Sequence, residues 1–456
     1  MGGVTVGVDI GTTSVKAIAV DDDGNVLARS RIPHKILTPA ADRLEHDANA
    51  AWRRGPRRAY AAIKAQISAP IAGVTVASMV PSLTGVDRRG IARLPGLLYG
   101  DARGADRAVE ATPLKVEGSS HVSGGMPDAE GFLRWGVEEF PDATGFWTCQ
   151  ALATHSLSGV AAIDTAVTAS MGELHTWGQW NAELIESIGA RVDQLPEVIP
   201  MLEAVGTLPG SDTVFTGGSI DALCDQVVSG AIEPGDVLAI FGATLVVWIV
   251  TKDWIEVPGL MTVPHTYPDR VMVGGPSNAG ALFVDWARGL LRSTGSSDVR
   301  PKDPDRVPIW LPYLRGERTP FNDPTLRASL HALDITQGSA VIERGAYEAS
   351  GFVIRRLLEQ SGLEGRRIVA SGGGSRSSSW MSAVADASGL PVNTVATPEG
   401  GALGAAFFAR MAKGFESSLD DATRWARTGE IYEPDPRWST AVEERYERFK
   451  ELGPKL

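Results

Sequence analysis

Asp9, Gly11, Thr12, Thr13, Ser14 and Lys16 fall within one short stretch near the N-terminus. A carboxylate two positions before a glycine can hold Mg²⁺ directly or through water. The glycine lets a ligand approach the backbone, and the hydroxyls and amides after it are hydrogen-bond donors. Donors beside a metal-holding acid suit a polyphosphate; an ordinary exposed turn after a core strand is the alternative reading. It is not a P-loop, because G-x-x-x-x-G-K-[ST] is absent here. A second acid, Asp221, follows Gly217-Gly218. It could accept a proton from a substrate hydroxyl, or simply cap the helix that begins there. A third stretch, Ser371 to Ser379, contains Gly372-Gly373-Gly374. Its composition would fit a flexible linker, but a β-branched strand before it and an amphipathic helix after it fit a nucleotide approaching the backbone.

The elements that must position these groups follow from the pattern. Val4, Val6 and Val8 alternate with Thr5 and Gly7, and Val15 to Val20 is again apolar. Gly11 to Ser14 is therefore predicted as the tip of a β-hairpin, and Asp22-Asp23-Gly24-Asn25 as a turn before Val26 to Ala28. Asp47 is a candidate N-cap for a helix that Gly55-Pro56 should kink or break. Strands are expected over Gly73 to Ala77, Leu83 to Val86 and Leu97 to Arg103, with an irregular segment from Ala111 to Asp128 and a helix from Phe132 to Phe140. Trp177 to Ile188 is amphipathic, and Leu195 to Ile199 reads as a loop. Val214 to Asp221 reads as strand, glycine turn and acid, leading into a helix through Val228. Asp236 to Ile249 then repeats the opening logic around Gly242-Ala243-Thr244. A long helix is expected from Ser339 to Gln360, then a strand at Arg367 to Ala370 and a helix at Trp380 to Ala387. Two α/β halves meeting near residue 230, each with a mixed five-stranded core sheet opened by a hairpin, are expected, a duplicated fold with a cleft between halves.

The 456 residues suit two or three domains. A net charge of −12 argues against nucleic acid or an anionic membrane as partner, though not against ATP held by local amides. Cys149 and Cys224 are far apart, which suggests neither disulfides nor zinc and fits a reducing cytoplasm. No signal peptide is read at Met1-Gly2-Gly3, and the apolar run Val237 to Val250 is too short to span a bilayer. The histidines show no metal spacing, and His155 and His265 read as satisfied loop or core residues. Pro312 to Phe321 reads as a rigid buried turn in which a carboxylate and two guanidiniums neutralise each other.

Together these pieces resemble the FGGY family of carbohydrate kinases, including its xylulokinase-like and glycerol kinase-like members. The resemblance runs from about Val4 to Ala409. Asp9-x-Gly11-Thr12-Thr13-x-x-Lys16 looks like the first phosphate motif, and Gly218-x-x-Asp221 like the block bearing the catalytic base. Pro312-Tyr313-Leu314-x-Gly316-Glu317-Arg318-x-Pro320 looks like the family's most distinctive block. Gly372-Gly373-Gly374-x-Arg376-Ser377-x-x-Trp380, with Pro398 to Ala405, looks like its adenosine region. The sequence departs from the pattern at Ala243, where the family's second phosphate turn offers a hydroxyl. It also departs at Met79-Val80-Pro81-Ser82, where xylulokinases resemble one another in Gln-Met-His-Gly, and it lacks the Arg-Glu pair of glycerol kinases. The lysine of the family's first signature is missing near Phe132 to Trp135.

The resemblance implies an actin-like, ribonuclease-H-like α/β fold: residues 1–230 for sugar and the first phosphate loop, and 231–456 for ATP. It implies Mg-ATP-dependent phosphorylation of a hydroxyl on a small sugar or polyol. Asp221 would be the base and, with Asp9, would hold Mg²⁺. Thr12, Thr13, Lys16, Gly242, Thr244, Gly372, Gly373, Gly374 and Ser377 would contact ATP. Met79, Val80, Pro81, Tyr99, Asp101 and Asp221 would contact the sugar. A homodimer is compatible with this. Xylulokinase proper is the alternative within the class. Outside it stand an actin- or chaperone-like ATPase and a kinase-like binding protein that has lost activity.

Overall fold

Val4, Val6, Val8 and Ile10 lie on one face of β1 (Val4–Ile10), and Thr5, Gly7 and Asp9 on the other, yet every residue of the strand is buried. Both faces are covered. The valine face packs into a core with Ala59 and Ile63 of α1 (Gly55–Lys64). The opposite face meets the helix Gly400–Lys413, where a side chain at Gly7 would overlap the Ala402 carbonyl. Gly404 is under the same constraint from the Cys224 carbonyl. Small residues are thus what let this helix approach the sheet.

This computed structural model describes residues 3–105, 128–176, 178–291 and 303–455. The chain forms two units, Met1–Val228 with Gly400–Trp425, and Ser229–Glu399 with Ala426–Leu456. The segment 400–425, expected with the second half, belongs to the first.

In the first unit a seven-stranded sheet runs Ala204–Thr207, Val214–Thr216, Ile71–Ser78, β1, β2 (Ser14–Val20) and β3 (Val26–Pro33), with Ser219–Ile220 also paired to Ile71–Ser78. β1, β2 and β3 are antiparallel, and Ile71–Ser78 is parallel to β1. The second unit holds another seven-stranded sheet: Met261–Pro264, Val271–Ser277, Leu245–Thr251, Asp236–Phe241, Arg367–Ser371, Val392–Val395 and Thr428–Tyr432. Each sheet has seven strands in all, where a five-stranded core sheet is expected. Short peripheral strands, which carry too few residues to show an alternation, make up the difference.

The Gly55-Pro56 break is realised as a change of winding. A π-helical segment, Asn49–Arg54, passes into α1 with Pro56 in its first turn, where a missing N–H costs nothing. Asp47 accepts a hydrogen bond from the Ala50 amide at 3.0 Å, as a cap should. Three other expectations are corrected. Glu197–Ile199 is a strand parallel to Ala162–Asp164, not a loop. The helix in the Trp177 to Ile188 stretch starts only at Ala182, capped by Asn181. The Leu97 to Arg103 strand is confined to Gly96–Leu98, and Ala102–Ala105 turns helical. The irregular Ala111 to Asp128 segment lies outside the described residues except for its last position. Among the described residues no helix is long and apolar enough to cross a membrane.

Candidate active site

Asp9 is the penultimate residue of β1, paired with Lys16 in β2, and the Lys16 ammonium stands 3.4 Å from the Asp9 carboxylate. Asp9 is buried, and a Cβ on Gly401 would stand 3.2 Å from its carboxyl carbon, so a side chain there would push the carboxylate aside by a few tenths of an ångström. The predicted hairpin tip is present: the Gly11 amide donates to the Ser14 carbonyl at 3.1 Å, and Thr13 is exposed. Thr12 is tied on two sides. Its hydroxyl and that of Tyr99 share a hydrogen bond of 3.1 Å, and its carbonyl oxygen lies 2.8 Å from His46 Nε2.

Asp221 begins the helix Asp221–Ser229 and accepts a hydrogen bond from the Ala222 amide at 2.7 Å. The two glycines before it make the approach. A Cβ on Gly217 would fall 2.7 Å from the Ile163 backbone, and Gly218 sits against Gln150. The Asp221 side chain keeps partial exposure, but protein surrounds most of it. Desolvation first, and the charge of Asp9 second, push its pKa up to about 7. The Ala222 amide and the Lys16 charge oppose that shift. The first unit therefore brings Asp9, Lys16 and Asp221 together electrostatically.

The expected sugar-facing residues divide. Met79 and Pro81 are buried, Val80 is half-buried, and the hydroxyl of the neighbouring Ser82 accepts from the Cys149 amide at 3.0 Å. Gln150 was not anticipated; its amide nitrogen donates to the carbonyls of Ser78 at 3.0 Å and Ser219 at 3.3 Å, tying this turn to the strand that leads to Asp221. Asp101 is fully buried, and its oxygens accept from the Leu44 amide and Arg103 Nε, each at 2.7 Å. Arg103 also pairs with Glu45. Asp101 thus fixes an arginine and a loop.

In the second unit, Gly242 to Thr244 turns between antiparallel strands, and the amides of Ala281 and Leu282 donate to the carbonyls of Gly242 and Ala243 at 2.9 and 3.0 Å. Gly280 must be glycine to pass the Thr244 backbone. Gly372, at φ +84°, and Gly374 both pack on Phe241, immediately before Gly242, so these two turns are neighbours at the end of one sheet. Gly373 is exposed, and a Cβ there would touch nothing within 4 Å. The Ser377 hydroxyl caps the helix Ser378–Ser388 by accepting from the Trp380 amide at 3.3 Å. The Pro312 to Phe321 turn is buried as expected, but Glu317 is stabilised differently. The Ser277 hydroxyl donates to it at 2.8 Å, and the amides of Asn278 and Arg318 at 2.9 and 2.7 Å. Burial raises its pKa to about 7, and the Arg318 charge is the smallest of the opposing influences.

Sequence reasoning missed His46 and Gln150, and it read Gly401 only within the adenosine block, not as a neighbour of Asp9. A histidine six residues before a tryptophan, and glycines three apart in an alanine-rich helix, were the available signals. Among the described residues no group of three or more histidine, cysteine or carboxylate side chains could hold a metal by itself.

Comparison with known proteins gives one answer. The model of the N-terminal domain of the FGGY family of carbohydrate kinases matches residues 4–221, and that of the C-terminal domain matches residues 237–413. The chain is 24% identical to a xylulose kinase of Escherichia coli (strain K12), with 99% of each chain covered. It is 25% identical to a glycerol kinase of Brucella anthropi, covering 94% of this chain and 93% of that one. Among solved structures, a gluconate kinase from Lactobacillus acidophilus aligns with a TM-score of 0.78 at 20% identity, over 99% of this chain and 98% of that one.

Proposed function

The chain belongs to the FGGY family of carbohydrate kinases, and from that premise we propose that Asp221 accepts the proton of the sugar or polyol hydroxyl that it phosphorylates. The observation that carries this reading is the pKa of about 7 at Asp221, on a carboxyl at a helix start beside Asp9. A general base serves best when its pKa lies near the working pH. The hydroxyl oxygen attacks the γ-phosphorus, the bond to the bridging oxygen of ADP breaks, and the proton passes to Asp221.

ATP use is expected of this family. Asp9 raises the cost of ionising Asp221, and neighbouring carboxylates suit a shared cation: Mg²⁺ is commonly held by one or two carboxylates plus phosphates and water. Bound there, Mg²⁺ would neutralise charge on the transferring phosphoryl group. The rest is positioning by the chain itself. Thr12, Thr13 and Lys16 are assigned to phosphate oxygens, and so are Gly242 and Thr244. With Ala243 offering no hydroxyl, the Thr244 side chain and backbone amides carry that contact. Gly372, Gly373 and Gly374 let the nucleoside approach the backbone, while Ser377 secures the helix behind them. Met79, Val80, Pro81 and Tyr99 shape the sugar site, and Asp101 supports it through Arg103.

The test is ADP release measured across pentuloses, pentitols, tetritols, glycerol and gluconate. Stimulation by one or a few of these supports the kinase. Sugar-independent ADP release would point to a partner-moving ATPase instead.

A further inference from the structure

The turn that joins β1 to β2 is held from behind by a relay of ring nitrogens. Trp52 Nε1–H donates to His46 Nδ1 at 3.0 Å. With Nδ1 engaged as an acceptor, the proton of the neutral ring sits on Nε2, which donates to the Thr12 carbonyl at 2.8 Å. Neither ring is exposed to solvent. Burial, with the His34 ring edge-on at 4.5 Å, lowers the His46 pKa to about 4, so this tautomer persists at neutral pH.

The consequence runs through one peptide plane. The Thr12 carbonyl and the Thr13 N–H belong to the same trans amide and point in opposite directions. Drawing the carbonyl toward His46 therefore turns the Thr13 N–H away from the core. Thr13 is exposed, and among the described residues its N–H has no hydrogen-bond acceptor. A second tie, from the Thr12 hydroxyl to Tyr99, restrains the same residue from its side chain.

We propose that His46 is a positioning residue that, through the Thr12 carbonyl, aims the Thr13 amide at the phosphates of the nucleotide. This rests on reading the Gly11 to Ser14 turn as the first phosphate loop. A histidine present only to fill the core would need neither nitrogen satisfied by these partners; phenylalanine would fill the space. Here both ring nitrogens are engaged, and one bond ends on the peptide that carries the Thr13 amide.

The test compares binding of a non-hydrolysable imido-ATP with Mg²⁺ and binding of adenosine, both by calorimetry without sugar. His46→Phe keeps a ring but loses the donor, and imido-ATP should bind about tenfold more weakly while adenosine affinity is unchanged. His46→Gln keeps a donor at similar reach and should recover to within about threefold of wild type. Trp52→Phe releases the tautomer and should weaken imido-ATP alone, by less than His46→Phe. Equal weakening of both ligands, no change in either, or a glutamine variant as weak as phenylalanine overturns the proposal. If His46→Phe does not fold, Trp52→Phe decides: folded protein that binds imido-ATP like wild type overturns it. A wild type that binds imido-ATP no better than adenosine overturns the phosphate reading of the turn itself. Tight wild-type binding that ignores His46 removes only this inference.

Discussion

Asp9 adds its charge to the burial of Asp221, and together they hold the Asp221 carboxyl at a pKa of about 7. Two pH effects follow. Activity requires the ionised base, so kcat/KM should fall about tenfold per pH unit on the acid side of the Asp221 pKa. Stability moves the other way. A carboxyl whose pKa is raised on folding stabilises the native state below the ordinary carboxylate range, and that contribution is lost as pH rises through about 7. Asp221→Asn lacks the titration. Melting temperatures of the two proteins, taken without nucleotide from pH 5 to pH 8, should show wild type losing ground to the variant as pH increases. A constant difference over that range would mean that Asp221 is not perturbed.

Gly373 isolates the nucleotide side. Its neighbours Gly372 and Gly374 are pinned against Phe241, but a side chain at Gly373 meets only open space. Gly373→Leu should therefore melt like wild type. Its KM for ATP should rise about tenfold or more, with the sugar KM little changed. A parallel rise in both constants would contradict the assignment of this turn to the nucleoside.

Specificity should reflect the apolar turn after Ile71–Ser78. Val80 and Pro81 have no polar side-chain atoms, Met79 is buried, and the Ser82 hydroxyl is taken by the Cys149 amide. This turn supplies shape, so D-xylulose should be turned over weakly or not at all. A panel assay in which D-xylulose is the preferred substrate would show that the sugar is recognised elsewhere.

What could be read without coordinates was local. Gly11 to Ser14 and Gly217 to Asp221 announce themselves because a strand, a glycine and an acid are adjacent in the chain. What could not be read was long-range. Nothing in the run from Gly400 to Ala406 says that it returns to β1, and its glycines gain meaning only beside Gly7 and Cys224. His46 acquires its role because Glu45–His46 pairs with Gly96–Leu98, which sets the imidazole beside the Thr12 carbonyl and Tyr99 close to its hydroxyl. Glu197–Ile199 becomes a strand only through its partner Ala162–Asp164. In Pro312 to Phe321 the charges suggested mutual neutralisation, whereas fixed amide and hydroxyl donors do most of that work for Glu317.

The most direct test of the account is the steady-state kinetics of Asp221→Asn. Asparagine keeps the size and can still cap a helix, but it cannot take the proton. In a loose transition state the base orients the hydroxyl as well as accepting its proton. Loss of a general base typically slows turnover by about 10²–10⁴-fold, and the drop should fall on kcat with ATP affinity nearly retained. A folded Asp221→Asn protein that binds ATP and turns over within about threefold of wild type would leave Asp221 as a helix cap and contradict its assignment as the base.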